Sequence, residues 1–135
     1  MKTDHSVYSF EKDFIPYEQA QALKEIEFDE PCLYYFYGFK HLESPIIKDG
    51  KPLWMNHNNS VFSTCYSAPT FSQVFRWFRE KHGLFGFVDP IYDFSSYSST
   101  VVKKENAGHI RCGDYTTYEE AELGCLKKLI ELVKK

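Results

Sequence analysis

The stretch Thr116–Lys135, TTYEEAELGCLKKLIELVKK, carries the clearest helix signal in the sequence and decides the fold class. Thr117 is followed three residues later by Glu120, which is the capping-box pairing of a helix start, and Thr116 with Glu119 offers the same pairing one residue earlier. Because the apolar residues behind this start recur at spacings of three and four, they form one broad face that must be buried, most simply against a sheet. The face comprises Tyr118, Ala121, Cys125, Leu126, Leu129, Leu132 and Val133.

Glu122 breaks this apolar face. At about 100° per residue, it projects close to Leu126 and Leu129. Glutamate is almost never buried without a partner. Two interpretations follow: Glu122 reaches water beyond the edge of the sheet, or it is a partly buried charge paired with a base such as Arg111.

Two further helices and a set of strands precede this stretch. Helices are expected at Tyr17–Ile26, behind Pro16, and at Thr70–His82, where Thr70 and Gln73 form a capping box and Gly83 ends the helix. The Asp49-Gly50 pair between two apolar runs predicts a hairpin. The other predicted strands are Cys32–Phe39, Val61–Tyr66, Leu84–Val88, Thr100–Val102 and His109–Tyr115, with Ser95–Ser99 open as a loop or a strand end.

The predicted fold class is therefore α+β, with a mostly antiparallel sheet and about three helices packed on one face. The C-terminal half follows the order α-β-β-β-α. Residues 1–13 are polar and mixed in charge, which predicts a loosely ordered N-terminus, and residues 14–135 are expected to form a single domain.

Composition narrows the range of functions. The chain has 135 residues with twelve Phe, ten Tyr and two Trp, so a compact aromatic core with some exposed rings is expected. A formal net charge of −3 argues against broad binding to nucleic acid or to an anionic membrane. No apolar stretch approaches membrane-spanning length, and the four cysteines have no paired spacing, which together predict a cytoplasmic protein with free thiols and no membrane partner.

The sequence contains no catalytic or metal-binding motif that we can identify. It has no CxxC, HExxH or GxSxG pattern, no P-loop and no dinucleotide fingerprint, so we expect no cofactor and no metal. His109 and Cys112 are the only close mixed pair, and their offset of three puts them on opposite faces of a strand. An enzyme would need a site assembled in three dimensions, with a histidine near Cys65, Cys112 or Glu122.

Two segments favour binding. In RWFRE, Trp77 lies off the main apolar stripe of its helix and is expected to be half exposed between Arg76 and Arg79, which is the composition of a binding hot spot and also suits stacking on a base. The alternative is that Trp77 packs under a loop while both arginines are solvated. Tyr92–Tyr97, YDFSSY, has the chemistry of a binding loop, although an ordinary polar turn explains it equally well.

Three stretches carry a family resemblance: FIPYEQAQALKEIEFDEPC at 14–32, APTFSQVFRWFREKHGL at 68–84 and YTTYEEAELGCLKKLIELVKK at 115–135. Together they resemble a small uncharacterised protein family common in Bacteroides-type gut bacteria and their phages and prophages. That family has no known activity, so the resemblance implies a cytoplasmic, phage-related protein and assigns no site residue.

The C-terminal half also resembles the double-stranded RNA-binding fold in its order of elements. That family grips phosphates with basic residues at the start of its last helix. The matching turn here, Thr117–Glu122, is acidic and would repel a phosphate backbone.

The leading hypothesis is a small non-enzymatic interaction protein that binds another protein or itself. A nucleic-acid-binding accessory protein using Arg76, Trp77 and Arg79 is the first alternative, and a small enzyme with an assembled site is the second.

Overall fold

The structure, a computed structural model, describes residues 12–38 and 40–134 of the chain. Contacts divide it into two compact units, Met1–Phe71 and Ser72–Lys135, which we call the N-unit and the C-unit. The predicted loose N-terminus lies almost wholly outside the described residues. The prediction of one domain over residues 14–135 stays a prediction.

The N-unit is built on a short antiparallel sheet. Its helix α1 spans Tyr17–Glu25, one residue short of the predicted end. Strands β1, β2 and β5 pair in the order β2-β1-β5, while β3 and β4 form a separate two-stranded hairpin. The strand bounds are β1 Tyr35–Tyr37, β2 His41–Glu43, β3 Ile47–Lys48, β4 Lys51–Pro52 and β5 Cys65–Ser67, with a 3-10 helix at His57–Asn59.

The hairpin at Asp49-Gly50 forms as predicted. Asp49 has φ 54° and Gly50 has φ 75°, so both turn residues lie in the left-handed region that a type I′ hairpin turn requires. Ile47 pairs with Pro52, and the Leu53 amide donates to the Ile46 carbonyl at 2.8 Å.

The C-unit contains the predicted order of helix, three strands and helix. The bounds are α2 Phe71–His82, β6 Leu84–Ile91, β7 Ser96–Lys103, β8 His109–Tyr115 and α3 Tyr118–Lys134. The strands pair antiparallel in the order β6-β7-β8. Gly83 ends α2 with φ 65°, and its amide donates to the Arg79 carbonyl at 3.2 Å, as expected for a helix stop.

Helix α3 packs across all three strands of the C-unit, which confirms the interpretation of its apolar face except at Tyr118, which is 45% exposed. Ala121, Cys125 and Leu126 are fully buried. The helix starts where predicted, because the Thr117 hydroxyl accepts a hydrogen bond from the Glu120 amide at 3.1 Å. The sheet approaches the helix closely at Gly86, where a β-carbon would lie 2.7 Å from the Cys125 sulfur.

The α+β fold class is confirmed. Within the described residues, the strands divide among three antiparallel sheets. Strand β6 continues through Asp89-Pro90, where the sequence predicted an end. Pro90 is tolerated there because β6 is an edge strand, so the missing proline N–H interrupts no ladder. The Ser/Tyr segment after it is the start of β7.

Candidate functional site

RWFRE lies in the middle of α2, and the structure separates its members. Arg76 and Arg79 are exposed. Trp77 is 3% exposed, so the expectation of a half-exposed indole is wrong. The ring packs edge-on against Phe78 and His82, with centroids 5.0 and 4.9 Å away.

The burial of Trp77 has a simple helical cause. It lies one turn after Val74, which is fully buried, so the buried face of α2 is wider than the stripe of Phe71, Val74, Phe75 and Phe78. An indole in this position cannot stack on a base. Binding through Arg76 and Arg79 stays a prediction.

Glu122 lies on the second turn of α3 and is partly exposed. Burial, with Glu122 and then Glu119 nearby, raises the pKa of Tyr118. Arg111 forms an ion pair with Asp114 on its own strand. The proposed pairing of Glu122 with Arg111 therefore stays a prediction.

The most exposed aromatic residues of the C-unit lie in the loop between β6 and β7. We call this loop, Tyr92–Ser95, the aromatic tip. Tyr92 is 96% exposed and Phe94 is 67% exposed, whereas an ordinary polar turn places small hydrophilic residues there. The tip lies within the segment that the sequence marked as having binding-loop chemistry.

The aromatic tip is held by local hydrogen bonds. The Phe94 amide donates to the Ile91 carbonyl at 3.0 Å. The Asp93 carboxylate accepts from the Ser95 amide at 3.1 Å, and hydrogen bonds from Ser95 lower the pKa of Asp93. These contacts fix a tight turn on which Tyr92 and Phe94 are displayed.

The backbone of the aromatic tip is strained at both aromatic residues. Tyr92 has φ 49° and Phe94 has φ 67°, in the left-handed region that glycine or asparagine normally occupies in turns. The cost for a bulky residue is roughly 1–2 kcal/mol. Rings this exposed on a strained backbone add little packing to the fold, which points to a role outside it.

The outer face of the C-unit sheet continues this aromatic character. Phe85 and Phe87 are 40% and 38% exposed, and they lie on the face of β6 opposite Gly86, which contacts α3. Val102 and Thr100 pair with them on β7. This face is therefore apolar near its centre and open to solvent.

The N-unit exposes apolar side chains of its own. Val61 is 92% exposed, and Ile47, Trp54 and Phe62 are each more than half exposed. Phe62 packs edge-on against Tyr37, with ring centroids 5.8 Å apart. None of these four residues was singled out from the sequence as a binding residue. Val61 and Phe62 lie at the start of the predicted strand Val61–Tyr66, whereas the observed strand begins at Cys65.

Cys65, which the enzyme hypothesis named, lies in β5, and His57 lies in the 3-10 helix of the same unit. His57 is buried and stacks on Tyr35 with centroids 4.2 Å apart, and its amide donates to the Ser67 hydroxyl at 2.9 Å. Burial lowers the pKa of His57 and raises the pKa of the Cys65 thiol. A nucleophile needs the thiolate, so this environment disfavours thiol catalysis at Cys65.

Cys112 lies in an irregularity of β8 and faces α3. Ser99 pairs with Gly113 and Thr100 pairs with Arg111, which leaves Cys112 between them as the extra residue of a β-bulge. The groups that act on its thiol are Cys125, Ser99 and Lys128, and none of these is a histidine. His109 and Cys112 do not come together.

No group of three or more possible metal ligands occurs among residues 12–38 and 40–134. Over the same residues, no helix has the length and apolar character needed to cross a membrane. A shallow depression of about 470 Å³ lies on α3, lined by Lys127, Ile130, Glu131 and Lys134. It contains neither a histidine nor a cysteine.

Comparison with protein-family models, with curated proteins and with solved structures finds no match to this chain. The family resemblance and the RNA-binding analogy therefore stay predictions, and the functional argument depends on the geometry above.

Proposed function

We propose that the protein is a small non-enzymatic interaction module of the cytoplasm that binds a protein partner, or a second copy of itself, through the aromatic tip. The observation that supports this most directly is the display of Tyr92 and Phe94, both largely exposed, on a strained four-residue hairpin loop. Aromatic side chains dominate the binding energy of protein interfaces because they bury a large area at a low cost in conformational entropy.

Two other features agree with this proposal. The tip is locally fixed by Asp93 and Ser95, so little conformational freedom is lost when a partner binds. The adjoining sheet face offers Phe85 and Phe87 as further partly exposed rings. A partner that covers the tip and this face would bury aromatic surface on both.

Site-specific photocrosslinking tests this function. A benzoylphenylalanine introduced at position 94 should give a discrete heavier species on irradiation in cells or extract, and nuclease treatment should leave that species intact. The matched control carries the same group at Lys104, an exposed residue in the turn after β7. Unlabelled wild-type protein should compete for the adduct, while the Tyr92→Gly/Phe94→Gly variant should not.

The outcomes separate the possibilities. An adduct with the mass of two copies identifies self-association, and one with a different protein identifies a partner. Equal labelling from positions 94 and 104, or no adduct from position 94, contradicts the proposal.

A nucleic-acid-binding function is the second candidate, favoured by exposed Arg76 and Arg79 on α2 within an α-β-β-β-α order. Binding to duplex RNA should then weaken steeply with salt, and Arg76→Ala/Arg79→Ala should reduce the logarithmic salt slope by about one per arginine. Lys103→Ala/Lys104→Ala removes the same charge elsewhere and should have no such effect. Trp77 is kept in both variants because it is buried. Absence of salt-dependent binding excludes this candidate.

The resemblance to the family of Bacteroides-type bacteria and their phages adds the proposal of a phage- or prophage-related origin. Fractionation of host cells that express the protein would test the cytoplasmic location.

A further inference from the structure

Cys112 and Cys125 are thirteen positions apart in sequence and adjacent across the interface between β8 and α3. The Cys125 sulfur lies 3.7 Å from the Thr100 carbonyl oxygen. Thr100 is directly opposite Arg111, the neighbour of Cys112, so the Cys125 sulfur lies over the part of the sheet from which the bulge projects Cys112. Cys112 and Cys125 each affect the ionisation of the other, so the two thiols are close neighbours.

The two sulfurs differ in exposure. Cys125 is fully buried, while Cys112 is partly exposed. Reactive cysteines are those whose thiolate is stabilised and accessible. A partly exposed thiol beside a buried thiol is the arrangement expected of a thiol that reacts first and a thiol that resolves the product.

The surroundings of Cys112 favour its thiolate. The neighbouring Cys125 has the largest effect, burial opposes it, and the Ser99 hydroxyl and the ammonium group of Lys128 add to it, so the pKa of Cys112 is lowered to about 7. The pKa of Cys125 is raised, first by the neighbouring Cys112 and then by burial.

We propose that Cys112 and Cys125 are a thiol pair that hydrogen peroxide oxidises to an intramolecular disulfide between β8 and α3. The Cys112 thiolate attacks one peroxide oxygen, the O–O bond breaks, and the departing hydroxide takes up a proton to become water. Cys112 is left as a sulfenic acid.

In the second step, the Cys125 sulfur attacks the Cys112 sulfur. The S–S bond forms, the S–O bond breaks, and the hydroxyl group leaves with the Cys125 proton as a second water. Two electrons have then passed from the two sulfurs to the peroxide, which supplies all the oxidising equivalents. A dithiol reductant reverses the reaction by thiol–disulfide exchange.

A single tryptic peptide makes the test direct. Cleavage after Arg111 and Lys127 releases residues 112–127, CGDYTTYEEAELGCLK, which contains both cysteines of the pair and neither Cys32 nor Cys65. After treatment of the folded protein with hydrogen peroxide, this peptide should be lighter by two hydrogen atoms and should resist alkylation. Dithiothreitol should restore both properties.

Variants assign the steps. In Cys125→Ser, the sulfenic acid of Cys112 should persist and be trapped by dimedone. In Cys112→Ser, the only thiol left in the peptide is Cys125, and its oxidation by peroxide should be at least tenfold slower than the loss of thiol in the wild type. The Cys32→Ser/Cys65→Ser variant keeps the pair and should form the same peptide disulfide as the wild type. Circular dichroism of each variant verifies that it is folded.

The proposal is overturned if peptide 112–127 stays fully alkylatable under peroxide that oxidises Cys32 or Cys65. It is equally overturned if the wild-type peptide gains only oxygen atoms, since that shows Cys112 oxidised without resolution by Cys125. The wild-type peptide gives either answer even if a serine variant fails to fold.

Discussion

Gly124 stands in the middle of α3, where glycine costs about 1 kcal/mol relative to alanine. The reason is the side chain of Tyr115, which lies against it: a β-carbon at position 124 would be 2.5 Å from Tyr115 Cζ and 3.1 Å from Cε1. The Tyr115 hydroxyl in turn donates to the Cys112 carbonyl at 3.3 Å. The Tyr115 ring therefore packs the end of β8 against α3, and it occupies the space that a side chain at position 124 would need.

We expect Gly124→Ala to lower the free energy of unfolding by about 1–3 kcal/mol, because overpacking outweighs the gain in helix propensity. Urea denaturation followed by circular dichroism measures this change. In a protein that already carries Tyr115→Ala, the ring is absent. Adding Gly124→Ala to that protein should therefore lower the free energy of unfolding much less than it does in the wild type. If Gly124→Ala instead stabilises the protein by about 1 kcal/mol, the Tyr115 ring moves aside freely and its packing does not require glycine at position 124.

The buried imidazole of His57 predicts a dependence of stability on pH. Burial lowers its pKa in the folded protein, and the hydrogen bond to the Cys32 carbonyl opposes this only in part. As pH falls below about 6.5, the unfolded chain therefore takes up a proton that the folded protein does not, so the free energy of unfolding decreases. The contribution of His57 is constant above that pH and is lost progressively below it.

His57→Phe keeps a ring to stack on Tyr35 and removes the titration. We expect it to flatten the decline of unfolding free energy between about pH 6.5 and 5, by at most about 1.4 kcal/mol per pH unit. Urea titrations at several pH values measure the slope. His41→Asn, at an exposed position, is the control and should retain the wild-type slope. An unchanged slope in His57→Phe would show that His57 is not the group responsible.

The aromatic tip is the element where stability and the proposed function oppose each other. Glycine adopts positive φ without the steric cost that Tyr92 and Phe94 incur. We expect Tyr92→Gly/Phe94→Gly to leave stability unchanged or to raise it by about 0.5–1 kcal/mol per site, while abolishing partner binding. Thermal unfolding and the crosslinking competition assay measure the two effects.

Ala107→Gly is the matched control for the tip, because Ala107 also has positive φ, at 57°, in a turn of the same sheet. It should be stabilising or neutral and should not affect binding. A large destabilisation on replacing Tyr92 and Phe94 would instead assign both rings a structural role.

The elements that the sequence predicted best are those specified by local chemistry. Helix α3 has its cap at Thr117 and its own apolar periodicity, and the Asp49-Gly50 turn needs only its two residues. Strand pairing depends on distant partners. Thus β1 is only three residues long, although the aromatic run predicted a strand from Cys32 to Phe39.

The features of the proposed sites that the sequence could not show are also non-local. The bulge at Cys112 exists because of its register against β7, and the contact of Cys112 with Cys125 follows from how α3 crosses the sheet. The burial of Trp77 could be predicted only by knowing how wide the covered face of α2 is. By contrast, the sequence YDFSSY already indicated a binding loop at the aromatic tip. The exposure of its rings and its backbone angles then distinguish it from an ordinary polar turn.

At the scale of the whole molecule, the chain of 135 residues divides into two compact units of similar length. The sequence predicts that they belong to one cooperative domain. Each unit carries one tryptophan, Trp54 in the N-unit and Trp77 in the C-unit, so fluorescence can follow them separately.

Trp54→Phe leaves Trp77 as the only indole, and Trp77→Phe leaves Trp54. If the chain is one domain, the fluorescence transition of each variant in urea should coincide with its own far-ultraviolet circular dichroism transition, because all of the structure unfolds together. The two transitions are compared within one variant. The destabilisation that Trp77→Phe causes as a core substitution therefore shifts both transitions and does not affect the comparison. A Trp77 transition displaced from the circular dichroism transition of Trp54→Phe would show that the C-unit unfolds independently, and the chain would then contain two domains.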